Sequence, residues 1–162
     1  KSADRSAYAA LLRMVEQCQI TASQSVSNAA KTLSFTAVPP GEFRNRRVYR
    51  KHKLRFDFEP WGLAVRRSVL EKFGCRPVVY VDRDAYDAAA PDERLFQQLK
   101  TDDRHRIDWS QEREWRYTGD LDLSRFTAND VVVFVDTYDE ATALSAVAPW
   151  RVLELPPMTK PV

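Results

Sequence analysis

The chain has 162 residues, of which 44% are hydrophobic, so it is long enough to bury the core of one folded domain. Its formal net charge of +2 is too small to identify a nucleic-acid-binding protein by itself, although a near-neutral balance can hide local charge clusters. The sequence has no run of 18 apolar residues and does not open on an apolar signal segment, and we therefore expect a soluble, cytoplasmic protein without a membrane partner.

The N-terminal part of the sequence predicts a helix, a loop and a strand. Apolar residues at helical spacing predict an amphipathic helix from about Asp4 to Gln19. The polar, serine-rich stretch after Ile20 has no periodicity and predicts a loop. Thr32–Val38 then predicts a short strand, which ends at Pro39 because proline cannot continue a hydrogen-bonded ladder.

The middle of the sequence predicts a strand, a short helix and a second strand. Trp61–Arg66 is the first predicted strand, and Ser68 is placed to cap a helix that ends at Gly74. Pro77–Val81 is rich in β-branched and aromatic residues, which favours a strand. This region is therefore predicted to fold as a strand, a short helix and a second strand.

The charged region between residues 82 and 108 predicts an exposed helical excursion. Pro91 fits the first turn of a helix, because its missing N–H group would have no partner there. Leu95, Phe96 and Leu99 would form one apolar stripe on that helix.

The C-terminal part predicts a buried strand, a helix and a last strand. Val131–Val135 is a continuous apolar run, typical of a central strand buried on both faces. Asp139–Val147 predicts a helix, and Arg151–Leu155 predicts the final strand. We therefore predict a single α+β domain over residues 1–155 with a C-terminal tail over 156–162, in which helices surround one twisted, mixed or antiparallel sheet of five or six strands.

The stretch WSQEREWRY alternates carboxylates with guanidinium groups. If residues 111–117 form a strand, Glu112, Glu114 and Arg116 share one face, with the two carboxylates roughly 6.5 to 7 Å apart. Two carboxylates at that separation can serve one substrate in different roles. The alternatives are a salt-bridged strand on the surface, or a helix in which Glu112 pairs with Arg116.

The segment Arg44–Arg55 contains seven Lys or Arg residues among twelve. Such a cluster suits phosphate groups, and Tyr49 within it is available to stack on a base. The alternative is a solvated, positively charged surface. The predicted nucleic-acid contacts are Arg46, Arg50, Lys51 and Lys53.

The remaining polar residues do not suggest a metal site. Cys18 and Cys75 lie far apart, and we expect small buried thiols in a reducing compartment. His52 and His105 have no cysteine or aspartate at metal-ligand spacing. The aspartates between residues 82 and 108 fit solvated loops and helices, since no Asp/Glu-x-Lys nuclease signature accompanies them.

Three segments of the sequence resemble known families. "LSFTAVPP", "FEPWGLAVRRSVLEKFGCRPVVYVD" and "DWSQEREWRY" are similar, over about residues 33–117, to the DUF2971-like bacterial proteins of unknown function. A more distant resemblance is to the ADP-ribosyltransferase superfamily, which includes DarT-like enzymes that modify DNA. That superfamily has a helix, a Ser-Thr-Ser-like strand, and a late Glu-x-Glu strand followed by an apolar strand. The matching segments here are the first predicted helix, Leu33–Thr36, Glu112–Glu114 and Val131–Val135.

The second resemblance implies an ADP-ribosyltransferase-like fold with NAD as substrate. Glu114 would contact the nicotinamide ribose and stabilise an oxocarbenium ion, while Glu112 would orient or deprotonate the acceptor. Ser34 and Thr36 would hold that ribose or support the glutamate. The pyrophosphate would be neutralised by Arg44, Arg47 or Arg66.

The resemblances thus imply an NAD-dependent ADP-ribosyltransferase or NAD glycohydrolase of a bacterial toxin or antiphage system, with nucleic acid as a candidate acceptor. Two other classes stay open. One is a noncatalytic nucleic-acid-binding or nucleotide-binding module that uses the basic segment 44–55. The other is a protein-interaction domain.

Overall fold

The computed structural model describes the chain in six segments, which are residues 6–24, 30–42, 49–50, 55–56, 58–102 and 107–155. The backbone clusters into two compact units. The first unit takes residues 1–19, 39–66 and 123–162, and the second takes residues 20–38 and 67–122. Each unit is therefore assembled from segments that are distant in sequence.

The described segments contain both helices and strands, which confirms the predicted α+β class. The α-helices found there are α1 (Ala7–Gln17), α2 (Arg67–Lys72), α3 (Arg83–Ala88), α4 (Pro91–Arg94) and α5 (Tyr138–Ser145). Short 3-10 helices span Pro40–Glu42, Trp109–Glu112 and Leu123–Arg125. Across the described segments, none of the helices has the length and apolar character needed to cross a membrane.

The strands of the described segments are short. In chain order they are β1 (Gln19–Ile20), β2 (Ser23–Gln24), β3 (Lys31–Thr36), β4 (Tyr49–Arg50), β5 (Arg55–Phe56), β6 (Gly62–Val65), β7 (Arg76–Pro77), β8 (Val79–Val81), β9 (Gln97–Leu99), β10 (Thr101–Asp102), β11 (Ile107–Asp108), β12 (Glu114–Thr118), β13 (Leu121–Asp122), β14 (Val131–Val135) and β15 (Arg151–Glu154). Two of the short strand pairs are β4 with β5 and β10 with β11, both antiparallel.

The first unit is built around β14. This strand lies in the middle of a three-stranded sheet, antiparallel to β6 and parallel to β15. Val131, Val133 and Val135 are completely buried. A continuous apolar run predicts such a central strand because both of its faces need cover, and this prediction is confirmed.

Capping residues fix the helix ends in the first unit. Ser6 accepts a hydrogen bond from the Ala9 N–H group, so α1 begins at Ala7, and the predicted start at Asp4 lies outside the described residues. Thr137 and Glu140 form a capping box at the start of α5. Glu140 also accepts a hydrogen bond of 2.9 Å from Trp61 Nε1, which ties α5 to the residue before β6.

The second unit is built on a four-stranded antiparallel sheet in the order β2-β3-β12-β7. The register of β3 with β12 sets Thr36 opposite Glu114 and Ser34 opposite Arg116. Because side chains alternate along a strand, these polar residues share one face of the sheet, and Phe35 lies opposite Trp115 on the other.

The prediction of one sheet of five or six strands is wrong for the described residues, whose strands form several smaller sheets. The predicted strand Pro77–Val81 divides at Val78. That residue is buried and donates its N–H group to the Glu114 carbonyl, after β7 has paired with β12 and before β8 pairs in parallel with β9. A single run of β-forming residues therefore supplies strands to two sheets.

The predicted helix through Leu99 is also wrong, because α4 ends at Arg94 and Leu99 lies in β9. The ring of Phe96 lies 3.9 Å from the Arg76 guanidinium carbon, and the carbonyl of Phe96 accepts the Val79 N–H group. These contacts with β7 and β8 replace the hydrogen bonds that a longer helix would make.

Two further boundaries differ from the sequence prediction. Ser68 does not cap α2, because the helix already begins at Arg67. The stretch after Ile20, predicted as a loop, contains the short strand β2, which pairs with the start of β3.

Gly62→Ala tests the packing of β6 on β14. A Cβ atom at residue 62 would lie 2.6 Å from Phe134 Cζ, closer than nonbonded carbon atoms approach, so we expect a loss of about 1–3 kcal/mol of unfolding free energy. Urea denaturation would measure it. Gly41→Ala is the matched control, since no atom lies within 4 Å of a Cβ there, and it should stay within about 0.5 kcal/mol of the wild type. Equal stability of the two variants would contradict the described packing.

Candidate active site

The WSQEREWRY stretch is divided at Arg113, which has a left-handed backbone with φ of 48°. A 3-10 helix precedes it and β12 follows it. Asp108 begins that 3-10 helix, because its carboxylate accepts hydrogen bonds from both the N–H group and the hydroxyl of Ser110. Glu112 is therefore not on the strand, and the prediction that it shares a strand face with Glu114 and Arg116 is wrong for Glu112.

Glu114 and Arg116 do share a face of β12 and form a bidentate ion pair. Arg116 Nε lies 2.9 Å from Glu114 Oε1, and Arg116 Nη2 lies 3.1 Å from Oε2. The two side chains are only 12% and 11% exposed. Parallel hydrogen bonds of this kind fix the orientation of both planar groups, so the carboxylate is held in one position.

Arg116 donates five hydrogen bonds, and its guanidinium group has five N–H donors, so every donor has an acceptor. Besides the two bonds to Glu114, Nη1 donates to the carbonyls of Leu95 and Gln97, and Nη2 donates to Gln98 Oε1. The guanidinium therefore ties the chain before and within β9 to β12. A buried cation with every donor satisfied is a positioning group, since it has no remaining donor for a ligand.

Ser34 supports the Glu114 carboxylate from the neighbouring strand. Its hydroxyl donates a hydrogen bond of 2.6 Å to Glu114 Oε1, along the diagonal between β3 and β12. The Thr36 hydroxyl instead donates to the Glu112 carbonyl at 2.6 Å and accepts from the Val38 N–H group. Thus Ser34 contacts the glutamate side chain, whereas Thr36 fixes the turn before it.

The Glu114 carboxylate keeps acceptor capacity for a ligand. Each carboxylate oxygen can accept two hydrogen bonds. Oε1 accepts from Ser34 and Arg116, while Oε2 accepts from Arg116. One acceptor position on Oε2 is therefore left by these contacts, and it suits a hydroxyl donor.

Tyr80 is a site residue that the sequence analysis did not identify. Its hydroxyl accepts the Glu114 N–H group at 3.1 Å, and the ring is partly buried. Burial raises the pKa of Tyr80, and the charges of Glu114 and Glu112 also raise it. The charges of both carboxylates thus reach the Tyr80 hydroxyl. The only sequence signal is an aromatic residue within the β-rich run before Asp82, and such residues are usually read as core.

The remaining predicted site residues are not brought to this cluster by any described contact. Arg66 belongs to the first unit, where it lies 3.3 Å from Asp130 and donates to the Asn129 carbonyl. Arg50 is described only as the backbone of β4. The roles of the basic segment stay predictions, because Arg44, Arg46, Arg47, Lys51 and Lys53 lie outside the described residues.

A cavity of about 610 Å³ lies beside Tyr80 in the second unit. Its lining includes Asp82, Arg83, Leu99 and Lys100. This volume falls within the range of small-molecule pockets in proteins. Within the described part of the chain, no group of three or more potential metal ligands is found.

Comparisons with models of protein families, with curated proteins and with solved structures found no match. The likeness to DUF2971-like proteins and ADP-ribosyltransferases stays a prediction from the sequence.

Arg116→Ala should destabilise the second unit strongly. The substitution leaves the mostly buried Glu114 carboxylate without its cation and leaves two carbonyl groups without a donor, at a cost of about 3–5 kcal/mol. Denaturation with urea measures this loss. The control is Glu71→Gln, which removes the exposed 3.7 Å pair with Arg67 and should cost at most about 0.5 kcal/mol. Similar losses in both variants would show that Arg116 does not hold the unit together.

Cys75 should be chemically inert in the folded protein. The residue is 2% exposed, and burial raises the pKa of its thiol from 9.0 to about 11, so about one molecule in a thousand carries the thiolate at pH 8. In a Cys18→Ser background, alkylation by iodoacetamide should be slow at pH 8 and accelerate about tenfold per pH unit towards pH 11. Fast alkylation of the folded protein at pH 8 would contradict this assignment.

Proposed function

We propose that this chain cleaves NAD at the bond between nicotinamide and ribose and passes ADP-ribose to an acceptor or to water. The observation that carries the proposal is the 2.6 Å hydrogen bond from Ser34 to Glu114. It holds the mostly buried Glu114 carboxylate at a fixed position on the sheet, with one acceptor position left on Oε2 by its described contacts. A carboxylate held in that way can accept a ribose hydroxyl and stabilise positive charge on the ring.

The proposed step requires only NAD and a nucleophile. The bond between the ribose C1′ atom and the nicotinamide nitrogen breaks, and its electron pair leaves with the pyridinium nitrogen, which releases neutral nicotinamide. The ribose becomes an oxocarbenium ion, opposite the negative charge of Glu114. Water or an acceptor then forms a new bond to C1′ and loses a proton to a general base.

Glu112 is the proposed general base. Only Arg113 separates it from Glu114, and both carboxylates act on the Tyr80 hydroxyl. This supports a role for Glu112 near the same substrate, although it lies before the strand rather than on it. Its backbone carbonyl is fixed by Thr36, so the turn that carries it is anchored to β3.

Arg116 and Ser34 are positioning residues in this proposal. Arg116 keeps the carboxylate plane fixed through two hydrogen bonds, and its other donors are occupied by main-chain and glutamine oxygens. A carboxylate that is already oriented loses no rotational freedom when substrate binds, which is the advantage of a preorganised site.

The test is release of nicotinamide from NAD by the purified protein, alone and with added DNA or protein acceptors, measured by chromatography. Glu114→Gln should lower the rate by about 100-fold or more, because an amide cannot offset the oxocarbenium charge. Ser34→Ala, which does not break the ion pair, should lower it by about tenfold. The controls are the substitutions Glu71→Gln and Ser68→Ala at exposed positions, and both variants should keep the wild-type rate.

Circular dichroism at the assay temperature must show that each variant is folded, since Glu114 is part of a buried pair. Unchanged activity in folded Glu114→Gln would refute the assignment of this residue. If the wild type releases no nicotinamide but binds nucleic acid with an affinity that falls steeply as salt rises, the basic segment 44–55 carries the function instead.

A further inference from the structure

The cavity beside Tyr80 opens where two parallel strands end. β8 and β9 run in the same direction, and the Lys100 N–H group donates to the Val81 carbonyl at the end of their ladder. The chain then turns into α3 from one strand and into β10 from the other. The carboxyl ends of parallel strands often border ligand sites, because the connections there diverge and leave a crevice.

The lining carries two cations, Arg83 and Lys100, and one carboxylate, that of Asp82. Arg83 and Lys100 make no ion pair within 4 Å among the described residues, and each contributes to the cavity wall. Asp82 also lines the cavity, but its carboxylate accepts the Ala85 N–H group at 2.9 Å as the cap of α3. Its orientation is therefore set by the helix rather than by the cations.

Asp108 is an exposed carboxylate outside the lining that interacts electrostatically with Lys100. Hydrogen bonds from Ser110 lower the pKa of Asp108, and the charge of Lys100 lowers it to a smaller extent. Lys100 therefore lies within electrostatic range of one exposed carboxylate.

We infer that this cavity binds a nucleoside phosphate, with Arg83 and Lys100 as its phosphate-binding residues. A guanidinium donates two parallel hydrogen bonds to a phosphate, and an ammonium adds a compact charge. Tyr80 and Leu99 supply an aromatic and an aliphatic wall for the nucleoside. The cavity volume of about 610 Å³ is sufficient for a molecule of this class.

The test is isothermal titration calorimetry of the full chain with ADP, and with adenosine as the phosphate-free probe. We expect ADP to bind at least about tenfold more tightly than adenosine. Arg83→Gln and Lys100→Gln should each weaken ADP binding by about tenfold, the loss expected for one charged hydrogen bond. The matched control is Lys72→Gln, which removes an exposed charge at the end of α2 and should leave the affinity unchanged.

The inference is overturned if folded wild-type protein binds no ADP, if adenosine binds equally well, or if neither cation affects ADP binding. Its failure is distinguishable from failure of the proposed function. ADP binding that depends on Arg83 and Lys100 without NAD cleavage supports the cavity and refutes the proposed reaction. NAD cleavage that is insensitive to both substitutions, in a protein that binds no ADP, supports the reaction and refutes the cavity.

Discussion

The second unit depends on the hydrogen bonds of one guanidinium group. Arg116 donates to the Glu114 carboxylate on its own strand and to three oxygens in the segment around β9. An arginine that is 11% exposed would be costly to bury if any of its donors lacked an acceptor. With all five donors satisfied, Arg116 connects the four-stranded sheet that contains β12 to the parallel pair of β8 and β9. The same bonds orient Glu114, so the stability of the unit and the geometry of the candidate site have one origin.

Local patterns in the sequence predicted what depends on local structure. The apolar run of β14 predicted a strand that is covered on both faces, and helical spacing predicted α1 and α5. The alternation of Glu114 and Arg116 predicted their common face. The contact of Ser34 with Glu114 does not follow from local patterns; it is one of the two roles that the resemblance to ADP-ribosyltransferases implies for that serine. The predictions from local patterns are confirmed because each depends on a continuous apolar run or on residues two to four positions apart.

The incorrect predictions depend on contacts between distant residues or on rare backbone conformations. Glu112 leaves the strand because Arg113 adopts a left-handed conformation, which residues other than glycine seldom adopt and which no residue pattern marks. Phe96 was assigned to a helical stripe, but its ring packs on Arg76, twenty residues away. The role of Tyr80 depends on a backbone N–H group of residue 114. None of these partners can be identified from spacing alone.

The interleaved division of the chain has a consequence for folding during synthesis. The chain passes from one unit to the other four times, yet the second unit is complete in sequence at Asp122. The central strand of the first unit begins only at Val131, and its parallel partner begins at Arg151. A ribosome therefore delivers all of the second unit before either of these strands exists. Residues 6–19 and 39–66 of the first unit are therefore synthesised before the strands that complete its sheet. The order of translation thus favours earlier folding of the second unit, which contains Glu114.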